Sequence, residues 1–526
     1  MSDLLTRAEY QAIAASLDVP RNAFIDGGFR KAVSGKTFTT TNPATGKLIA
    51  KVAACGAKDV DIAVAKAREA FDDGRWRTLH PAERKDVLIR LTKLIKRNAR
   101  ELAVMESIDS GKPIRDCETI DIPETINTLK WHAEAIDKIY DQTAPVGEDA
   151  LAVIVREPIG VVGAVLPWNF PLLMLAWKIA PALASGCSVI VKPAEQTSLT
   201  ALRIAELASE AGIPAGILQV VTGYGSDVGE PLGRHEDVDL ITFTGSTETG
   251  KRFLKYSAES NLKKVVLECG GKNPCVVLDD AEDIDLVAAH VVNAAFWNMG
   301  ENCSAASRLI VQEGIKDKLM KRVIARAKRW RTGDPLDPKN DLGALIDAEH
   351  FKKVGAYLKK PKKKQILAGG DTKDGTYVMP TIVDGVARPD ALAQEEIFGP
   401  VLSIITVKSY DEAIAAANDT SYGLCQSQNC WQGAVRSCRN DRIFRDQFGI
   451  SQGSDQQGRI ASKPCGDQTL AQPAFPFSGR RIGWCASGYF RSSVLCNAWR
   501  TRACPCRDTT SEATLSRMGT TGEYFQ

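Results

Sequence analysis

The chain has 526 residues, of which 44% are hydrophobic and 25% charged, with a formal net charge of +3. This length exceeds what one hydrophobic core usually serves, so two or three domains are expected, and the small net charge gives no support for nucleic-acid binding. The 14 cysteines show no framework spacing, which excludes a small disulfide-stabilised secreted fold. Because the first residues lack the pattern of a secretory signal, we expect a cytoplasmic protein without structural disulfides.

The first half of the chain changes from helical to mixed periodicity. Residues 58–110 repeat apolar and charged positions at helical spacing. From Val153 onward, short β-rich runs alternate with amphipathic helices such as the one predicted from Thr197 to Ala211, which indicates a parallel, doubly wound sheet. The apolar stretch 158–193 is interrupted by prolines and glycines, so it predicts buried strand, loop and helix and not a membrane span.

A second α/β cycle starts at Pro274. Its predicted strands include the runs at 309–312 and 401–407, which are rich in Val, Leu and Ile. The sequence therefore predicts two α/β units. In such units the ligand lies at the carboxyl ends of the parallel strands, so the segments directly after the strands are the candidates for binding and catalysis.

Two segments after strands suit a dinucleotide. Lys192 and Glu195 place a cation and a carboxylate close together, a pairing that can hold a ribose and that disfavours a 2′-phosphate, so NAD is favoured over NADP. Gly245 and Ser246 open a helix whose first amides could face a pyrophosphate, although an ordinary capped helix start has the same pattern. The nearby run 223–229 has one residue too many for the dinucleotide fingerprint and is interpreted as a plain turn.

Three further residues suit acyl chemistry. Cys303 follows a glycine-containing turn and is flanked by small side chains, and Glu268 ends a predicted strand 35 positions earlier. The pair offers a nucleophile and a base, although a lone cysteine is more often an inert core residue. Asn169 lies between prolines and aromatic residues, where its amide could stabilise an oxyanion or could simply be a buried group bonded to backbone.

Six runs, taken together, resemble the NAD-dependent aldehyde dehydrogenase superfamily in their order and intervals. The resemblance extends from about residue 20 to Leu424. The runs are Pro167-Trp-Asn-Phe-Pro171, Lys192-Pro-Ala-Glu195, Phe243-Thr-Gly-Ser-Thr-Glu-Thr-Gly250, Leu267-Glu-Cys-Gly-Gly-Lys272, Gly300-Glu-Asn-Cys303 and Glu395-Glu-Ile-Phe-Gly-Pro400.

The resemblance implies a role for each candidate. Cys303 would add to the aldehyde carbon and form a thiohemiacetal whose oxyanion is held by the Asn169 side chain and the Cys303 N–H. Hydride transfer to NAD would leave a thioester, and Glu268 would activate the water that hydrolyses it to the free acid. Lys178 is expected near the active site or, alternatively, at the surface. The implied cofactor contacts are Lys192 and Glu195 at the adenosine ribose, Gly245 and Ser246 at the pyrophosphate, and Glu396 and Phe398 on the nicotinamide side.

The resemblance also implies an α/β fold with a doubly wound, Rossmann-like cofactor domain, a second α/β catalytic domain and a small β oligomerisation arm. The expected boundaries are 1–140 and 160–271 for the NAD-binding domain, 141–159 for the arm and 272–424 for the catalytic domain. The implied partners are a small-molecule aldehyde and further copies of the chain, as a homodimer or homotetramer if the C-terminal part were family-like. Neither a metal site nor a nucleic-acid or membrane partner is expected.

The resemblance stops after Leu424. Residues 425–526 contain eight cysteines, twelve arginines and one lysine, and they lack sustained periodicity. A change of reading frame explains this break in composition better than a new domain does. The family's final strand is not found in place, so we expect an unpaired edge on the arm and an unstable, weakly active protein.

Two other functions stay open. The altered tail could leave a non-catalytic NAD-binding or structural protein, and a thiol esterase would use Cys303 without any nicotinamide. The runs at 131–138 and 154–158 are similar to the branch that oxidises γ-glutamyl-aminobutyraldehyde and guanidinobutyraldehyde, which favours an aminoaldehyde as substrate.

Overall fold

The computed structural model describes residues 4–373 and 375–424 and the strand Trp499–Ala503. Its first sheet has seven strands. Five adjacent strands are parallel, and two strands from the N-terminal part of the chain extend the sheet at one edge in antiparallel pairing. In sheet order the strands are Lys264–Glu268, Leu240–Thr244, Val161–Val165, Ser188–Lys192, Leu218–Val220, Ala23–Ile25 and Gly28–Arg30. The predicted parallel sheet is confirmed, and its five parallel strands end on a common edge.

The second sheet is built from the later part of the chain. Four of its five strands are parallel and the last is antiparallel. In sheet order they are Pro274–Val277, Arg308–Gln312, Val401–Val407, Thr381–Val383 and Ile366–Ala368. Most of their residues are buried, as expected where helices cover both faces of a parallel sheet. The second α/β unit predicted from Pro274 is therefore confirmed.

An isolated parallel bridge joins Gly271 to Leu424. Gly271 lies three residues before Pro274–Val277, the outer strand of the second sheet among the described residues. The chain thus reaches residue 424 directly beside the segment that connects the two sheets.

Helices pack against both sheets. The region 58–110 forms three of them, and the helix predicted from Thr197 begins two residues later. Helices of at least eight residues are Arg7–Ser16, Ala57–Asp72, Pro81–Arg97, Ala99–Ser110, Ile122–Ala135, Pro171–Ser185, Leu199–Ala211, Thr247–Ala258, Ile284–Phe296, Glu313–Ala327, Ala348–Leu358 and Tyr410–Asn418. Shorter helices are Ile114–Asp116, Glu230–Arg234 and Ala391–Gln394, and two hairpins pair Thr37–Thr41 with Leu48–Ala53 and Thr372–Lys373 with Tyr377–Val378.

Each sheet has its own hydrophobic core. The core of the second sheet contains only residues between Cys275 and Ala416, whereas the largest core of the first sheet is drawn mainly from residues between Tyr10 and Leu240. Two cores agree with the expectation that one core would not serve a chain of this length. The assignment of a cofactor-binding and a catalytic domain to these units stays a prediction.

The arm region forms two antiparallel strands, Gln142–Ala144 and Ala152–Pro158. Trp499–Ala503 pairs antiparallel with the second of them, so the expectation of an unpaired edge there is wrong. Backbone pairing needs only an extended segment beside an open edge, and Trp and Thr are residue types favoured in strands. The rest of the atypical tail, 425–498 and 504–526, lies outside the described residues.

The apolar stretch 158–193 folds as predicted, into a strand, the helix Pro171–Ser185 and a second strand. Among the described residues, no helix has the length and apolar character needed to cross a membrane.

Candidate active site

The ends of two neighbouring strands bring Glu268 beside the Gly245–Ser246 turn. Thr244 pairs with Glu268 in the parallel ladder, and the Gly245 N–H donates to the Glu268 carbonyl at 3.0 Å. Ser246 caps the helix Thr247–Ala258, where its hydroxyl accepts a backbone N–H of the first turn at 3.2 Å. The residues expected to act as base and as pyrophosphate contact are thus next to each other.

Cys303 follows a turn with an unusual backbone. Three successive residues, from Asn298 to Gly300, have φ values of 56°, 57° and 68°. The left-handed region costs a residue other than glycine about 1 to 2 kcal/mol. The Asn298 amide offsets this cost, because it donates to the Asn169 carbonyl at 3.2 Å and to the Glu301 carbonyl at 2.9 Å. Hydrogen bonds to the Asn169 loop therefore fix the turn before the thiol.

The backbone of Cys303 is held from the opposite side by the segment that connects the two sheets. The Asn273 side chain donates to the Cys303 carbonyl at 2.8 Å. Gly271 approaches the same carbonyl so closely that a Cβ at this position would lie 2.5 Å from its oxygen. The segment that follows Glu268 in sequence therefore supports the loop of the candidate nucleophile.

The Cys303 sulfur shares a buried environment with two carboxylates. Burial, with added repulsion from Glu268 and Glu396, raises the pKa of the Cys303 thiol to about 12. The thiol is therefore protonated at neutral pH unless a base or a nearby positive charge assists its ionisation. The contact of the Cys303 carbonyl with Gly271, three residues after Glu268, places the candidate nucleophile and the candidate base in the same part of the molecule.

Lys178 is buried, which decides between the two positions considered for it. Its ammonium group donates to the Thr242 hydroxyl at 3.1 Å, on the strand next to the one that ends at Glu268. Burial lowers the pKa of Lys178 to about 8 and raises the pKa of Glu268, and the attraction between the two charges opposes both shifts. The lysine thus favours the ionised form of the candidate base.

Asn169 is buried beside the Cys303 loop. Its side-chain amide donates to the Glu301 carbonyl at 2.9 Å, so the bond to backbone considered from the sequence is present. An amide nitrogen carries two hydrogens, and this bond uses one of them. The bond also fixes the amide near the candidate nucleophile.

Lys192 and Glu195 form an ion pair at the end of the strand Ser188–Lys192, with 3.0 Å between the ammonium nitrogen and a carboxylate oxygen. The Lys192 side chain is buried, whereas 34% of the Glu195 side chain is exposed. Tyr224, from the segment interpreted as a plain turn, lines the same small cavity as Glu195. A carboxylate that is held by a buried lysine and open to solvent suits the recognition of hydroxyl groups.

Glu396 and Phe398 lie against the same connecting segment and the Asn169 loop. The Gly271 N–H donates to a Glu396 carboxylate oxygen at 2.9 Å. Phe398 has a φ of 59°, its ring meets that of Trp168 edge to face at 5.2 Å, and its carbonyl accepts from His350 Nε2 at 2.6 Å. Burial lowers the pKa of His350 to about 4, so the imidazole is neutral at physiological pH.

Comparison with known protein families matches residues 29–428 to the model of the aldehyde dehydrogenase family. This chain belongs to that family. An aminoacetaldehyde dehydrogenase of Pseudomonas aeruginosa is 65% identical over 438 residues, which cover 83% of this chain and 88% of the relative.

Solved structures agree with this assignment. An indole-3-acetaldehyde dehydrogenase in complex with NAD+ superposes with a TM-score of 0.79 at 48% identity, covering 80% of this chain and 86% of the other. A gamma-glutamyl-gamma-aminobutyraldehyde dehydrogenase from Burkholderia cenocepacia does so with a TM-score of 0.78 at 46% identity, covering 81% and 87%. The family resemblance, the α/β fold and the NAD-dependent oxidation of an aldehyde to the acid are thereby confirmed.

The sheet edge of this dehydrogenase fits a dinucleotide. Gly245 approaches the Phe243 ring so closely that a Cβ would lie 2.6 Å from it, which keeps the turn before the helix narrow. The first amides of a twelve-residue helix follow, and the ion pair of Lys192 and Glu195 lies two strands away in the same sheet.

Several residues that shape the dehydrogenase site were missed from the sequence. Asn298, Asn273 and His350 act through hydrogen bonds to backbone carbonyls of other loops. Such bonds depend on tertiary contacts that no local pattern shows. The consecutive glycines at 270 and 271 were a usable signal, since paired glycines mark close backbone approach.

Replacement of Gly271 by alanine is expected to lower turnover by about 10²-fold, because the new Cβ must displace the Cys303 carbonyl and with it the thiol. Steady-state kinetics and thermal unfolding of the G271A protein measure the effect. Gly355→Ala is a matched control, since a Cβ there meets nothing within 4 Å. Unchanged turnover in G271A would show that the two segments are not in the contact described.

Proposed function

We propose that this dehydrogenase oxidises an aminoaldehyde to the free carboxylic acid, with Cys303 as nucleophile, Glu268 as base and Asn169 as oxyanion donor. The observation that carries these roles is the contact between their loops: Gly271, three residues after Glu268, lies against the Cys303 carbonyl, and the Asn169 amide is bonded to Glu301 two residues before Cys303. Burial and the charge of Glu268 hold the Cys303 thiol protonated at neutral pH, so a base must take its proton before the sulfur can react.

The first half of the reaction makes a thioester. The Cys303 thiol gives its proton to the Glu268 carboxylate, and the sulfur adds to the aldehyde carbon, whose oxygen takes the negative charge. The Asn169 amide and the Cys303 N–H donate to that oxygen. Bound NAD would supply the acceptor for the hydride that leaves this carbon, and the carbonyl then re-forms as the Cys303 thioester.

The second half releases the acid. Glu268 first returns its proton to solvent and then takes a proton from a water molecule, which attacks the thioester carbon. The bond between carbon and sulfur breaks, and the Cys303 thiolate leaves. The sum is aldehyde, NAD+ and water converted to acid, NADH and a proton. Lys178 supports the ionised state of Glu268 that this step requires.

The cofactor roles are part of the same proposal. Lys192 and Glu195 hold the adenosine ribose, Gly245 and Ser246 lie against the pyrophosphate, and Glu396 and Phe398 contact the nicotinamide side. The contacts of Glu396 with Gly271 and of Phe398 with Trp168 support this arrangement, since both lie next to the Cys303 and Asn169 loops.

The aminoaldehyde is supported by the named substrates of two relatives, aminoacetaldehyde and gamma-glutamyl-gamma-aminobutyraldehyde. Initial rates with 3-aminopropanal and 4-aminobutanal, compared with propanal and butanal of matched length, test it. We expect kcat/KM to be at least about tenfold higher for the amino compounds, and the product to be the free acid by NMR with or without coenzyme A. Equal values for both series would exclude an aminoaldehyde preference.

We also propose a cytoplasmic homodimer or homotetramer. The proposed nucleophile Cys303 is a free thiol, which suits a reducing compartment. The arm exposes large apolar side chains, with Tyr140 and Leu151 each more than three-quarters exposed. Exposed apolar groups on this arm suit burial against another copy. Sedimentation velocity of the full chain measures the assembly.

A further inference from the structure

Two helices that start beside the proposed active site lack a cap from their own N-terminal residue. Pro171–Ser185 begins after Phe170, which has no hydrogen-bonding side chain, and Leu199–Ala211 begins after Ser198. The Ser198 hydroxyl donates backward to the Ala194 carbonyl at 3.1 Å instead of capping the helix. The first N–H groups of a helix have no partner within it, so a buried helix start needs another acceptor.

Glu106 supplies that acceptor to the first helix. One oxygen of its carboxylate accepts the Leu172 N–H at 3.1 Å, and the other accepts the Thr200 hydroxyl at 3.0 Å. Pro171 has no N–H, so Leu172 carries the first backbone donor of this helix. The helix follows the Asn169 loop directly and carries Lys178 two turns later.

Asp109 supplies the acceptor to the second helix. Its carboxylate accepts the Leu199 N–H at 3.2 Å and the Thr40 hydroxyl at 2.8 Å. The Thr40 hydroxyl also lies 3.3 Å from the Gln196 carbonyl, in the loop that follows Lys192. Asp109 therefore holds the segment next to the proposed ribose contacts, on the cofactor side.

Both carboxylates project from the helix Ala99–Ser110, one turn apart, and both are buried. Burial raises the pKa of Glu106 to about 8 and that of Asp109 to about 7, and the hydrogen bonds from the two helix starts oppose these rises. Lys112 also opposes the rise at Glu106, whereas Asp121 adds to it. Burying a carboxylate costs free energy, and its interaction with the positive N-terminal end of a helix offsets part of that cost.

We propose that the helix Ala99–Ser110 positions the two halves of the site: Glu106 sets the Asn169 loop for the chemical step through the Leu172 N–H, and Asp109 sets the loop after Lys192 for NAD binding through the Leu199 N–H. The bond of Glu106 to Thr200 in the second helix links the two helix starts. This proposal rests on the roles proposed above for Asn169 and Lys192. Glu106 and Asp109 are positioning residues, since they act through the helices that they cap.

The test compares variants of the two carboxylates in the full chain. Two quantities are measured: the rate constant of the NADH burst at saturating NAD, and the Kd for NAD by calorimetry. Glu106→Ala is expected to slow the burst about 10²-fold and to leave Kd within about threefold. Asp109→Ala is expected to raise Kd about tenfold and to leave the burst rate constant within about threefold.

The conservative variants distinguish an effect on the position of the two loops from an effect on the stability of the whole protein. Glu106→Gln and Asp109→Asn keep an acceptor oxygen for the helix N–H, so each should recover most of what the alanine variant loses. They also remain informative if an alanine variant fails to fold. In that case we expect, at a pH above both raised pKa values, faster amide hydrogen exchange in residues 169–178 for Glu106→Gln and in 196–203 for Asp109→Asn, because a neutral acceptor makes a weaker bond than the ionised carboxylate.

The proposal is overturned if both substitutions change the same quantity, or if both losses simply follow the decrease in melting temperature. Equal exchange in both segments for both conservative variants would overturn it as well. Failure of the mechanism itself is distinguishable, since a wild-type chain without any NADH burst would contradict the proposed function, while Kd and amide exchange would still report on the two helices.

Discussion

Replacement of Cys303 by alanine is expected to reduce aldehyde-dependent NADH formation to the background rate, a loss of at least about 10⁴-fold. The thiol has no substitute in the proposed reaction, because the acyl group must be carried on a nucleophile until water arrives. The binding of NAD should persist, since none of the proposed cofactor contacts is altered. Stopped-flow absorbance of NADH and calorimetry with NAD measure the two quantities.

Cys269 provides a matched control for this experiment. It follows Glu268 directly, is partly exposed, and its pKa is raised by burial and by the same two carboxylates, Glu268 and Glu396. The Cys269→Ser protein should retain its NADH burst. If activity were lost in Cys269→Ser and kept in Cys303→Ala, the nucleophile would have been assigned to the wrong thiol.

The Glu268→Gln protein is expected to form NADH once per active site and then nearly stop. Formation of the thioester keeps the sulfur and the oxyanion donors and loses only the acceptor of the thiol proton, which solvent can replace with a slower burst. Hydrolysis of the thioester loses the carboxylate that activates water. Loss of a general base typically costs about 10²- to 10⁴-fold, so steady-state turnover should fall by that factor while the burst amplitude stays near one per chain. A burst followed by acid quench and mass spectrometry should show the acyl group on Cys303.

The pH dependence of turnover gives a second test of Glu268 as the base. Glu268 must be ionised to act, and burial raises its pKa, so turnover of the wild-type enzyme should rise with pH through that raised pKa. The glutamine variant cannot titrate and should lack this rise. If the burst amplitude fell together with turnover in Glu268→Gln, with the pH profile unchanged, the carboxylate would serve only the first half of the reaction or only the structure.

Much of the site could be predicted because the chemistry lies at strand ends. Lys192 and Glu268 end two of the parallel strands and Gly245 follows a third, and because parallel strands end on a common edge the sequence already predicts that these residues lie together. Strand positions were predicted well for the same reason, since short apolar runs between polar turns are a local signal. The run 401–407 matches its strand residue for residue.

Other features could not be predicted because they arise from long-range contacts. The helix caps supplied by Glu106 and Asp109 join residues separated by 66 and 90 positions, and no motif marks them. The left-handed backbone at Asn298 depends on the Asn169 carbonyl, which is 129 positions away. The strand Trp499–Ala503 was missed because five residues inside a segment of unusual composition carry too little pattern to assign.

The bridge between Gly271 and Leu424 joins the end of the family-like sequence to the segment that lies against Cys303. All residues proposed for the chemistry are translated before position 424, yet the peptide at that position touches the glycine that supports the nucleophile's carbonyl. If translation changes frame after this codon, all the residues proposed for catalysis and cofactor binding have already been incorporated. A change in the chain after residue 424 can therefore act on the Cys303 loop through this contact, and would slow the chemical step as well as lower the stability of the protein.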